Sequence, residues 1–207
     1  MAESGYSSQT ALDMVKGGSI QRYRRFRLGA ALFSSFVVAN TYTCYIVFKE
    51  TGVYDFAFGH YLSYLTNCTA FLCMIYGLVS AAPVLFPTLS KVQWDGFFHP
   101  RSAVRRTLYA MSLTTSVYVA VVFWGVLGLN NDDYPTWAKV WDMVTNIGAH
   151  GGNIVWLALD ACVYDRNLAR SYTKRMCLPT ILFGLWYFAM ASGELVMTEL
   201  APYFFME

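Results

Sequence analysis

Thr66 and His150 are far apart in the chain, and their side chains are those of a nucleophile and its base. A hydroxyl beside a neutral imidazole can attack a carbonyl carbon while the ring takes the proton. A nearby amide can then steady the ring or donate to the oxyanion. Ser63, Asn67 and Thr69 accompany Thr66, and His150 belongs to the series Asp142, Asn146, His150, Asn153, Asp160. The steps of four, four, three and seven put all five on one helical face, which must look into a bundle. Gly148, Gly151 and Gly152 leave room for another helix to approach. Plainer roles compete. A Thr in a membrane helix commonly bonds back to its own i−4 carbonyl, and a buried His commonly bonds across to another helix.

Charge placement shows what must position these residues. Of 207 residues, 56% are hydrophobic, 17% aromatic and only 14% charged. A soluble fold of this size needs more polar surface, and a disordered chain would be poor in aromatics. Five windows lack Asp, Glu, Lys and Arg: 28–48, 56–90, 107–131, 143–159 and 176–193. Each is near the ~20 residues that cross a bilayer as a helix, and Pro83 and Pro87 mark where the second frays. The expected fold is all-α, a polytopic helical bundle with spans at about 28–48, 58–82, 107–130, 140–160 and 176–197. Residues 1–27 form a basic N-terminal segment and 28–207 one transmembrane domain.

Basic and acidic loops alternate. Arg22, Arg24, Arg25 and Arg27 precede the first span; Arg101, Arg105 and Arg106 precede the third; Arg166, Arg170, Lys174 and Arg175 precede the fifth. The positive-inside rule puts the N-terminus in the cytosol of a multi-pass protein of the endoplasmic reticulum or plasma membrane. Thr66 and His150 then lie about ten residues into two spans that run inward, roughly 15 Å below the outer surface. The early residues lack the basic start of a signal peptide.

Other chemistries fit less well. No Lys stands inside a span to carry a retinal Schiff base, and five Cys without a CxxC argue against a disulfide framework or structural zinc. No metal and no cofactor are expected: pairing His60 with His150 across a haem is disfavoured because their depths differ by about 9 Å. His99 is a loop residue. Asn67-Cys68-Thr69 reads as a glycosylation sequon, at a depth that excludes glycan attachment. A net charge of +2 and the lack of a basic stacking face exclude nucleic acid. A small channel or transporter lined by Asn146, His150, Asn153 and Asp160 is a rival reading.

The stretch Tyr64-Leu65-Thr66-Asn67 resembles the Tyr-Leu/Met-Thr motif of the androgen-induced and androgen-dependent transmembrane hydrolases. Phe123-Trp124, Tyr134-Pro135 and His150, ten residues before Asp160, are similar to that family's Phe-Trp, Tyr-Pro and catalytic His. His150-Gly151-Gly152-Asn153 and the run to Asp160 are similar to the rolling-stone-like branch. The resemblance covers about Tyr64 to Asp165. It implies an intramembrane hydrolase of lipid esters, such as fatty acid esters of hydroxy fatty acids, with membrane lipids as substrate. Thr66 would be nucleophile and His150 base, with Asn67, Asn146 and Asn153 around the substrate or the ring. It also implies a sixth span, which Ala201-Pro202-Tyr203-Phe204-Phe205 would lead into. The rolling-stone-like branch carries the alternative of a non-enzymatic role in cell-surface interaction or fusion. Leu62, Ser63 and Cys73 replace the hydrolase branch's Trp, Lys and Gln. Asp160 is three turns from His150 and too far to be a third catalytic member, so Asn146 and Asn153 are the candidates for orienting the ring.

Overall fold

The computed structural model describes residues 18–52, 64–86, 103–127, 135–164 and 174–198. Among these there is no strand. The segments are α1 (Gly18–Glu50), α2 (Leu65–Leu85), α3 (Ala103–Val122), α4 (Thr136–Ile147), α5 (Asn153–Leu159) and α6 (Lys174–Thr198). α3 runs on through a π-helical turn, Phe123–Leu127. α4 and α5 form one rod, joined by a π-turn at Gly148–Gly152 and followed by another at Asp160–Tyr164. Five helical rods therefore match the five charge-free windows, and the protein is an all-α membrane bundle. α1 from Arg22, α2, and α3 with its π-turn are long and apolar enough to cross a membrane. The apolar stretch of α6, Cys177–Gly193, is shorter. His60, Ser63, His99, Tyr134 and residues 199–207 lie outside the described residues.

Helix ends follow local chemistry. α1 has 33 residues and rises about 50 Å, well beyond the ~30 Å of hydrocarbon. Its extra turns carry the basic cluster. It stops at Gly52, whose φ of +71° lets its N–H reach the Lys49 carbonyl at 3.1 Å, a left-handed cap that suits glycine. α2 ends between Pro83 and Pro87, where the missing proline N–H weakens the ladder. The expected start, 58, lies outside the described residues. The helix begins at Leu65, with the Tyr64 carbonyl accepting from the Asn67 and Cys68 N–H groups at 3.0 and 3.2 Å.

The rods pack through small residues. A Cβ on Gly77 would lie 2.8 Å from Ser34 Oγ and 3.2 Å from Ala31 Cα, so glycine is what lets α2 lie against α1. A Cβ on Gly152 would run into the Phe33 ring, whereas Gly151 faces open space. Close approach thus uses Gly152 but not Gly151. Tyr76 stacks on Trp156 at 5.5 Å and tilts against Tyr109 at 5.6 Å, joining α2, α5 and α3 in one buried cluster. The outer surface is apolar, as a lipid-facing surface must be: Leu32, Phe36, Val121 and Val196 are exposed.

The basic cluster in the first turns of α1 is more than a topology anchor. Arg27 is fully buried, and its Nη1 donates to Asp160 Oδ2. The Tyr76 hydroxyl donates to the same oxygen, and Arg105 Nη2 stands 3.9 Å from it. Arg105 Nε also donates to Ser80 Oγ at 3.2 Å. The Arg27 guanidinium lies 4.8 Å from the Tyr23 ring centre, a cation–π contact. One carboxylate therefore ties α1, α2 and α3 to the end of α5. Desolvating such charges is costly, so removing one partner is more damaging than never having had the set.

Candidate active site

At the site the two π-turns face each other. A π-turn adds a residue to a helical turn and re-aims the side chains after it. Phe123 opens the π-turn of α3, and His150 sits inside the turn between α4 and α5. Their rings stack at 3.7 Å between centres and 10° between planes. Trp124 meets Phe123 edge-on at 5.0 Å. His150 is 5% exposed, and its Nδ1 is buried with no hydrogen-bond partner among the described residues. The ring is held by a flat aromatic contact.

Thr66 is the second residue of α2. It stands in the first helical turn, whereas the sequence reading put it ten residues into a span. The dipole at the start of a helix favours negative charge nearby. Thr66 and His150 both line one cleft of about 770 Å³, whose other walls come from α3 and α6. That volume is typical of small-molecule and lipid sites. Apart from hydroxyls and His150, the walls are apolar, with Val119, Val122, Phe183 and Phe188 among them.

The three asparagines do not line the cleft. Asn153 is buried and occupied elsewhere: its amide N–H donates to the Ala149 carbonyl at 3.3 Å, and its oxygen accepts from Trp156 Nε1 at 3.3 Å. It braces the tryptophan that stacks on Tyr76. The expectation that Asn153 orients the imidazole gives way to Phe123, because an amide on the same rod is drawn to the backbone one turn back. Asn67 and Asn146 are half-buried. Asp160 belongs to the charged set described above, at the other end of α5 from His150. Cys73, fully buried, lies 3.4 Å from Ser116 Oγ. Among the described residues, no three His, Cys, Asp or Glu side chains are placed to hold a metal ion.

Phe123 was visible in the sequence only as half of a Phe-Trp pair. Its role beside His150 depends on two π-turns that the hydrophobic pattern does not announce. Arg27 and Arg105 were read as loop charges, and only Asp160, a lone carboxylate at the end of an apolar window, hinted that a cation must come to meet it.

No curated protein and no solved structure gives a significant match to the chain. The family model for FAR-17a/AIG1-like protein matches residues 30–207, taking in Thr66, Phe123 and His150. With that match over most of its length, the chain belongs to the FAR-17a/AIG1-like protein family.

Proposed function

We propose that this membrane protein hydrolyses lipid esters with Thr66 as nucleophile and His150 as base. The observation that carries the reading is that these two residues, on separate rods, line one apolar cleft within the bundle. Thr66 Oγ attacks the ester carbonyl and its proton passes to Nε2 of His150. The tetrahedral intermediate collapses, and the leaving alkoxide takes the proton back from the ring. Water then cleaves the acyl–threonine ester by the same route, with His150 again the base. The positive dipole end of α2, where Thr66 stands, favours the negative charge of the developing oxyanion. Stacking on Phe123 opposes turning of the imidazole about its Cβ–Cγ bond. The lipid-facing surface lets an ester arrive sideways from the bilayer, with no passage through water.

A channel lined by the polar face of the fourth rod is less well supported. Asn153 and Asp160 are both buried in interhelical or local hydrogen bonds and do not line the cleft at His150. A non-enzymatic role in cell-surface interaction leaves the shared cleft without a purpose.

The test uses purified protein in detergent and a lipophilic fluorophosphonate. Phosphonylation mapped to Thr66, and lost in His150→Ala, is the expected result. Folded protein that takes no label at Thr66, or a His150→Ala variant that labels as fast as the parent, overturns the assignment.

A further inference from the structure

The cleft has a direction. Along α3 its wall runs from Phe123, on which His150 stacks, to Thr114, a helical rise of about 14 Å. Along α6 it runs from Thr180 to Ser192, about 18 Å. The α6 lining residues recur at three- and four-residue steps, so a single stripe of that helix faces the cleft for its whole length. The reactive pair is therefore at one end of a long apolar slot and not at its centre. Rods that cross a bilayer in succession alternate in direction, so α3 and α6, with one rod between them, are assigned the same sense. Gly184, eight residues before Ser192, then stands toward the end away from the pair.

Gly184 is the one glycine among the cleft residues, in a helix whose neighbours Leu182, Phe183, Leu185 and Trp186 are large. A Cβ built on it meets nothing within 4 Å. Among the described residues no packing against another helix requires glycine there, and glycine in a helix interior is destabilising relative to alanine. What its lack of a side chain provides is room in the slot.

We propose that Gly184 is a specificity-determining residue: it keeps the far end of the slot open for the tail of one linear acyl chain whose ester carbonyl lies at Thr66. This rests on the lipid-ester reading for turnover, but occupancy of the slot can be measured without it. A long tail extends from the reactive end past Tyr118 and Val119 to the opening at Gly184. A short acyl group stops before that point and is indifferent to what stands there.

The experiment compares the full chain in detergent with Gly184→Phe and Gly184→Ala, each shown to be folded by its thermal unfolding profile. The readout is the ratio of kcat/KM for p-nitrophenyl palmitate to that for p-nitrophenyl acetate. Gly184→Phe is expected to lower this ratio by about tenfold or more, and Gly184→Ala by about twofold or less. An unchanged ratio in Gly184→Phe, whether both esters slow together or neither does, overturns the proposal. If the parent protein cleaves neither ester, the Thr66–His150 reading falls. The slot is then judged with palmitate carrying a diazirine near its tail. Crosslinks on α3 or α6 that vanish in Gly184→Phe uphold the proposal, and crosslinks elsewhere, or crosslinks indifferent to the substitution, overturn it.

Discussion

Asp160 and His150 stand ten residues apart on one rod, and their surroundings are opposites. Asp160 is fully buried and is met by Arg27, Tyr76 and Arg105, one from each of three other helices. His150 is nearly as buried, yet its Nδ1 finds no donor or acceptor among the described residues, and its ring rests on Phe123 beside an open cleft. The first region joins helices through a carboxylate. The second sets an imidazole flat against an aromatic ring next to open space. The contrast separates the part of the bundle that holds the fold from the part we assign to chemistry.

Substitutions at the two regions should therefore separate activity from stability. The largest effect is expected from Thr66→Ala, which removes the attacking oxygen. Ester cleavage should fall about 10⁴-fold or more, with the thermal unfolding midpoint close to the parent's, read by hydrolysis assay and by melting in detergent. Turnover within tenfold of the parent would end the comparison as drawn.

Asp160→Ala should do the reverse. It leaves Arg27 buried without its carboxylate and should cost about 3–5 kcal/mol of stability, seen as poor recovery of folded protein or a steep drop in melting temperature. A double variant that also replaces Arg27 with Met should recover part of that loss. If Asp160→Ala melts like the parent, the charged set does not hold the helices together.

A smaller effect is expected where α1 meets the π-turn of the fourth rod. Gly152→Ala pushes a methyl into the Phe33 ring and should destabilise by about 1–3 kcal/mol, while Gly151→Ala, facing open space, should change the melting temperature little. Equal melting of the two variants would mean that the glycines are not distinguished by packing.

Smallest is Phe123→Leu. Losing the stacked ring should weaken the placement of His150 by about 0.5–1.5 kcal/mol, read as a several-fold slower fluorophosphonate reaction at Thr66 without a matching change in melting. A reaction rate equal to the parent's would show that the imidazole is held by something else.

The spans were readable in the sequence because the signal is local: a helix in lipid must satisfy its own backbone, so charge-free windows and helical rods coincide. α3 and α6 fall within a few residues of their expected bounds. The first window was too short for α1 because Arg27 was counted as a boundary, when it is paired inside the bundle. The expected start of the second, 58, lies outside the described residues, whose helix begins after Tyr64, an extended residue with no side-chain cap. At the site, Thr66 and His150 were legible as residue types and as family motifs. Asn153 was misjudged because helical spacing reports which face a residue shares, not which atom its amide will find.

By itself the sequence determined that this chain is a helical membrane protein, where its rods run, and which hydroxyl and imidazole could be partners. Those properties depend on residue type and on spacing within one helix. Only the tertiary structure decided that Arg27 would meet Asp160 across 133 residues, that Phe123 rather than an asparagine would lie against His150, and that Thr66 and His150 would share a cleft with α3 and α6. Each of these depends on the rotation of one rod against another. π-turns and close glycine contacts set that rotation, and no periodicity within a single segment encodes it.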